Sequence, residues 1–208
     1  MFILGLTGSI AMGKSTAARL LRRLGVPVYD ADRAVHEALG HGGTAVAAVE
    51  RAFPGTARDG RIDRVALGIR VFGDPAALRR LEAILHPLVR RSTERFLATA
   101  ARRRARAVVL DVPLLFETGG ERQVDATVVV WAPAFLQRLR VLARPGMTEA
   151  KLAAIRARQM PDRDKRRCAD FVVSSAHDRG RTLRQLRRIV RLCRHKRTRR
   201  WAPGYLRA

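Results

Sequence analysis

The chain has 208 residues, with 42 Lys/Arg against 18 Asp/Glu for a net charge of +24, and two cysteines. That length fits one domain with an insertion rather than two full domains. No apolar run approaches the ~18 residues of a membrane span, and Cys168 and Cys193 form neither a C-x-x-C pair nor a metal-ligand cluster, so neither disulfide nor zinc is expected. The charge calls for an anionic partner without choosing between nucleotide, nucleic acid and membrane surface. Residues 179–208 hold 12 Lys/Arg and no acid, so half of the excess lies in that stretch. The N-terminus enters an apolar run with no basic leader, and the expected location is cytoplasmic.

Phe2-Ile3-Leu4-Gly5-Leu6 reads as a buried parallel strand, and Gly8-Ser9-Ile10-Ala11-Met12-Gly13-Lys14-Ser15 after it fits G-x-x-x-x-G-K-[ST]. Chance supplies this pattern in about two such chains per thousand. It is a phosphate cradle: main-chain donors of a tight loop, running through Ala11, Met12 and Gly13 to Thr16, point at phosphates. Lys14 adds a compact charge, Ser15 holds Mg²⁺, and the next helix presents its positive end. The expected ligand is ATP or GTP. Ser15 to Leu24 should be that helix, with Gly25 ending it, and Val26 to Asp30 a second strand. Helices follow around Arg33 to Leu39 and Thr44 to Phe53, with turns at Pro54-Gly55 and Arg58-Asp59-Gly60.

Asp74-Pro75 starts a helix whose run contains His86-Pro87, where a proline predicts a kink or a break. Ala107 to Asp111, Ala126 to Trp131 and Phe171 to Val173 are strands of an open α/β sheet. Residues 33–104 exceed a simple crossover and should form a helical substrate subdomain. Between Leu136 and Arg167, arginines including Arg138, Arg140 and Arg144 lie on a helical pattern broken at Pro145-Gly146 and Pro161. This predicts a basic helical lid over 138–168 that neutralises a transferred phosphoryl group and excludes water. Arg181 to Arg194 is an amphipathic helix docked on the sheet, and 194–208 is a basic tail of a composition that suits disorder.

Asp32, just past the second strand, is a candidate to accept the proton of an attacking hydroxyl; the alternative is an N-cap for a helix starting at Arg33. Asp111 ends the third strand, either as a carboxylate that orients Mg²⁺ or as a strand terminator beside a proline turn.

With these residues placed, the chain resembles the dephospho-coenzyme A kinase family. The similarity rests on Leu6-Thr7-Gly8-Ser9-Ile10 running into Gly13-Lys14-Ser15-Thr16, Asp30-Ala31-Asp32, Leu85-His86-Pro87, Pro113-Leu114-Leu115-Phe116-Glu117, and Gln159-Met160-Pro161 with Lys165 and Ala169-Asp170, over about residues 2 to 175. The resemblance implies a single P-loop NTPase domain of three α/β/α layers around a parallel sheet. It implies transfer of the ATP γ-phosphate, with Mg²⁺, to the ribose 3′-hydroxyl of dephospho-coenzyme A. Asp32, Lys14 and Arg138 match its catalytic residues, Arg144 is a second lid arginine on the nucleotide, and His86, Pro113, Leu114 and Glu117 match its substrate side. No membrane or nucleic-acid partner is implied, and a monomer is expected. A nucleoside or nucleotide kinase of the same architecture and an ATP-regulated nucleic-acid-binding protein are the competing readings. Ser9, Ala11 and Met12 stand where the family usually has Gly, Gly and Ser. Positive φ should therefore be costly at 9 or 11, and Met12 should place an apolar side chain beside the phosphates. Ser174-Ser175 replaces a frequent Asp-Asn pair, so no base contact is assigned there.

Overall fold

The computed structural model describes residues 1–196 and Thr198. The tail expected over 194–208 therefore falls almost wholly outside the described residues. In chain order the elements are β1 (Phe2–Thr7), α1 (Lys14–Arg23), β2 (Val28–Asp30), α2 (Ala31–Leu39), α3 (Val46–Ala52), β3 (Ala57–Arg58), β4 (Arg61–Ile62), α4 (Arg64–Val71), α5 (Pro75–Arg102), β5 (Ala107–Asp111), β6 (Ala126–Trp131), α6 (Ala134–Leu142), α7 (Glu149–Ala157), α8 (Asp162–Cys168), β7 (Phe171–Ser174) and α9 (Arg179–Arg194). They fall into two units, Met1–Tyr29 with Ala98–Ala208, and Asp30–Leu97.

The first unit is built on a five-stranded sheet of order β2-β5-β1-β6-β7. β1 runs parallel to both neighbours, with Ile3 opposite Val108 of β5 and Leu6 opposite Val128 of β6, and β6 runs parallel to β7. All six residues of β1 are buried, as a strand covered on both faces requires. Leu4, Leu6, Val109 and Val128 on one face form a core with Ala17 and Leu21 of α1 and Leu186 and Val190 of α9. Side chains alternate along a strand, so Ile3, Val108 and Val129, each 2 % exposed or less, cover the other face. α9 is tied down at its start by Asp178, whose carboxylate accepts from the Arg181 amide, and it buries the stripe Thr182, Leu186, Ile189, Val190 and Cys193.

The second unit holds its own core of Leu39, Val49, Phe53, Ile62, Leu67, Leu81 and Leu85. Its cap at α2 settles one of the alternatives for Asp32: Asp30 Oδ1 accepts from the Arg33 amide at 3.0 Å, so Asp30 is the N-cap. The turn expected at Asp59-Gly60 is the tip of the β3–β4 hairpin. Both tip residues have positive φ, 48° and 70°, as a two-residue turn matched to strand twist demands. Glu50 holds the preceding loop, accepting from the amides of Gly55, Thr56 and Ala57. The sequence pattern did not announce α4, which Asp63 caps through the Val65 and Ala66 amides.

The kink or break expected at His86-Pro87 is overturned in its stronger form: α5 is a single helix of 28 residues with Pro87 inside it. Pro87 removes the bond to the Ala83 carbonyl. Both residues are exposed, so water can satisfy that carbonyl and the helix continues.

Candidate active site

The loop between β1 and α1 follows from its two glycines. A Cβ on Gly8 would lie 2.6 Å from the Val130 carbonyl oxygen of β6, so only glycine lets the chain leave β1 this close to its neighbour. Gly13 has φ 88° and N-caps α1 without a side-chain hydrogen bond. Among the described residues the Lys14 and Ser15 amides make no hydrogen bond, while those of Thr16 and Ala17 go to the Gly13 carbonyl, so two donors at the helix start remain, which is the electronic requirement for binding an anion. Lys14 Nζ lies 2.7 Å from Asp111 Oδ1, the carboxylate being 3 % exposed. Ser15 is exposed at the first turn of α1 and its hydroxyl makes no hydrogen bond among the described residues.

Ala11 does adopt a positive φ, 58°, although a residue with a Cβ pays for it. What holds it there is a ring of contacts from distant segments. Ser9 Oγ donates to Asp162 Oδ1 at 2.5 Å and the Ile10 amide donates to Gln159 Oε1 at 3.2 Å. Gln137 Nε2 donates to the Ile10 carbonyl at 3.0 Å. The Arg140 guanidinium reaches the Ala11 carbonyl at 3.4 Å and the Ser175 hydroxyl at 3.0 Å, and Ser175 Oγ in turn donates to the Met12 carbonyl at 2.7 Å.

The expectation that Met12 sits beside the phosphates is corrected. Its side chain is 1 % exposed, with Sδ 3.2 Å from the Ala132 amide at the end of β6. The thioether fills core space and accepts weakly from a strand-end donor, which a smaller residue would leave unfilled.

Glu117 and Lys165 form a buried pair beneath this ring. Lys165 is wholly buried and its Nζ is 2.8 Å from Glu117 Oε1. The approach is off the hydrogen-bond angle, so the two meet as an ion pair. The same Glu117 oxygen accepts from the Met160 amide at 2.8 Å, and Glu117 Oε2 is buried with no hydrogen-bond partner among the described residues. Glu117, expected on the substrate side, thus anchors the segment that carries Gln159 and Asp162. Pro113 accepts from Thr7 Oγ1 at 2.9 Å, and Leu114 is 40 % exposed.

The lid helices break where expected, at Pro145-Gly146, with Gly146 at φ 72°, and at Pro161, which N-caps α8. Among their arginines, Arg138 turns away: it is 63 % exposed and ion-pairs with Glu149 of α7. Arg144 is exposed and makes no side-chain bond among the described residues. Arg140 is the lid arginine that meets the loop. Asp32 and His86 belong to the other unit. Asp32 is exposed in the first turn of α2 and His86 is exposed on α5, and neither side chain has a partner among the described residues. Among those residues, no three His, Cys, Asp or Glu side chains cluster to hold a metal, and no helix is long and apolar enough to cross a membrane.

Comparison with known proteins bears on the same stretch. The dephospho-CoA kinase family model matches residues 2–179. A dephospho-CoA kinase of Paramagnetospirillum magneticum is 66 % identical over 166 residues, 80 % of this chain and 78 % of that protein. One of Rhodospirillum rubrum is 59 % identical over 204 residues, 97 % of this chain and 96 % of that protein. The crystal structure of TT1252 from Thermus thermophilus superposes with a TM-score of 0.81 at 37 % identity, covering 92 % of this chain and 96 % of that one. A phosphate loop on a parallel sheet, matched along nearly the whole chain by these relatives, makes this chain a member of the dephospho-CoA kinase family.

Proposed function

We propose that the protein phosphorylates the ribose 3′-hydroxyl of dephospho-coenzyme A with ATP, giving coenzyme A and ADP. The observation that carries this reading is that the Lys14 and Ser15 amides at the start of α1 have no hydrogen-bond partner among the described residues, beside the Lys14 ammonium: an anion cradle in a chain of this family. The 3′-oxygen forms a bond to the γ-phosphorus, the bond from that phosphorus to the β–γ bridging oxygen breaks, and ADP leaves. The hydroxyl proton goes to a carboxylate, which we assign to Asp32: Asp30 does the capping, so Asp32 is left with an exposed, unengaged carboxylate. Phosphoryl transfer demands mainly positioning and charge neutralisation. Lys14 supplies one fixed cation on the nucleotide. Arg140 braces the loop main chain, and Arg144, unengaged and next to the Pro145-Gly146 break, supports the closing contact on the transferred group better than Arg138 does.

The donor set fits a hard, oxygen-seeking cation. The Ser15 hydroxyl and the Asp111 carboxylate would hold Mg²⁺, with the nucleotide's phosphates completing its shell, and the ion would screen charge on the β- and γ-oxygens.

The test is a coupled assay of ATP consumption with dephospho-coenzyme A, adenosine and AMP as acceptors. Dephospho-coenzyme A is expected to be preferred; preference for AMP would replace this reading with a nucleotide kinase. Asp32→Asn should leave ATP binding intact and lower kcat by about 10²-fold or more, the range of general-base loss. Unchanged turnover would remove Asp32 from the chemistry.

A further inference from the structure

Much of the positive charge that the kinase chemistry leaves unused is concentrated on α9. Arg181, Arg184, Arg187, Arg188, Arg191 and Arg194 are all exposed. At 3.6 residues per turn they fall within an arc of about 140°, opposite the stripe that docks on the sheet, and the row is about 20 Å long. α1 extends it. Arg22 and Arg23 are exposed in the last turn of that helix, and the Arg194 guanidinium donates to the Leu24 carbonyl at 3.4 Å, so the ends of the two helices lie side by side.

Among the described residues the side chains of Arg22, Arg23, Arg187, Arg188 and Arg191 make no hydrogen bond or ion pair. The acids around α9 are already committed. Asp178 caps the helix, Asp170 takes the Thr127 amide and hydroxyl, and Asp125 takes the Ile3 amide and the Thr198 hydroxyl. Cations in a last turn answer the helix dipole, which accounts for Arg191 and Arg194 but not for the arginines further up α9. Both helices start at the sheet edge that carries the phosphate loop and end at the opposite edge, where Asp125 meets the start of β1. A ligand on their basic ends therefore leaves the nucleotide site open.

Free guanidinium groups along a rod complement a chain of phosphates, which each can grip with two parallel hydrogen bonds. A lipid surface is the poorer match: an interfacial helix buries its apolar face in the membrane, and the apolar face of α9 is spent on the sheet. A duplex read through its major groove must admit a free helix, whereas α9 is packed on the sheet and on α1. A flexible single strand can follow the row. The sequence beyond Lys196 adds Arg197, Arg199 and Arg200 with Trp201 and Tyr205, and single-strand binders combine such cations with aromatic rings on which bases stack.

We propose that the exposed face of α9, with the end of α1, is a docking surface for single-stranded nucleic acid, held through its phosphates without regard to base sequence. The surface is separate from the kinase site and does not depend on the acceptor proposed above.

The experiment is fluorescence anisotropy of a labelled oligouridine strand of about 20 nucleotides, longer than the row of arginines, titrated with the full-length protein. Wild type is compared with the triple variant Arg187→Gln, Arg188→Gln, Arg191→Gln. The control is Arg51→Gln, Arg70→Gln, Arg79→Gln, the same loss of charge at exposed positions of the other unit. For wild type, log Kd should rise with log salt concentration at a slope of about 4, which is ~0.7 for each of about six phosphates. The α9 variant should bind about 10-fold or more weakly at about 150 mM salt, with the slope reduced by about 2 and kcat and KM for ATP within about twofold of wild type. The control should bind as wild type does. Equal weakening by both variants reduces the effect to net charge and overturns the surface. Displacement of the strand by saturating ATP, tighter binding to a duplex of the same length, or binding to phosphatidylglycerol vesicles without binding to the strand overturns it as well.

Discussion

The ammonium of Lys165, with no exposed surface, lies 2.8 Å from Glu117 Oε1. The pair joins the start of α8 to the turn that follows β5, and from it hang the two side chains that hold the phosphate loop, Gln159 and Asp162. Such a pair contributes little net stability over an apolar substitute, but losing one partner strands the other charge. Lys165→Met should cost about 3–5 kcal/mol in a urea titration. Replacing both, Lys165→Met with Glu117→Leu, should recover a large part of that loss, because no uncompensated charge remains. Equal stability of the single variant and wild type would show that Glu117 and Lys165 are not coupled in solution.

Arg138 and Arg140 separate two roles that composition alone cannot. Arg138 is spent on an exposed pair with Glu149, and surface pairs contribute roughly 0–1 kcal/mol. Arg140 reaches the loop carbonyl of Ala11 and both oxygens of Ser175. Arg140→Ala should therefore lower kcat/KM for ATP by about 10²-fold, in the range seen when a positioned electrostatic group is removed. Arg138→Ala should stay within about threefold of wild type. Steady-state kinetics with ATP varied decide between them, and the reverse order would return the lid role to Arg138.

What could be read from the sequence follows from how local each determinant is. The strand, loop and helix from Phe2 to Arg23 were legible because a hydrophobic run, two glycines and a lysine within about 20 positions fix them. The clasp on that loop was not. Ser9 meets Asp162 across 153 positions and Ser175 meets Met12 across 163, and nothing in a single sequence couples such pairs. Arg138 was chosen because it matches the lid arginine of the resembled family, a match that says nothing of which face of α6 is inner: Phe135 and Leu139 are 68 % and 66 % exposed, while Gln137 and Val141 have no exposed surface. With Gln137 and Val141 marking the inner face, helical spacing puts Arg138 and Arg140 about equally far from it on opposite sides, so it is the tertiary contacts with Ala11 and Ser175 that single out Arg140. The break expected at Pro87 did not occur for a related reason, since the cost of a helix proline depends on whether its orphaned carbonyl meets water.

The two cysteines should differ sharply in reactivity, which checks the docking of α9 directly. Cys168 is exposed and Cys193 lies on the buried face of α9, where desolvation, ahead of all neighbouring charges, pushes its thiol up to about 11. A raised folded-state value means that the neutral buried thiol contributes stability in full below the ordinary thiol range of about 8.5, and that this contribution is lost as pH rises through about 11. Only the thiolate reacts with alkylating reagents. At pH 8 iodoacetamide should modify Cys168 alone in the native protein, and both thiols once urea unfolds it, with the mass of the intact chain as the readout. Above pH 10 the native chain should begin to label at Cys193, in step with loss of thermal stability. Equal labelling of both cysteines at pH 8 without denaturant would show that α9 does not cover the sheet as described.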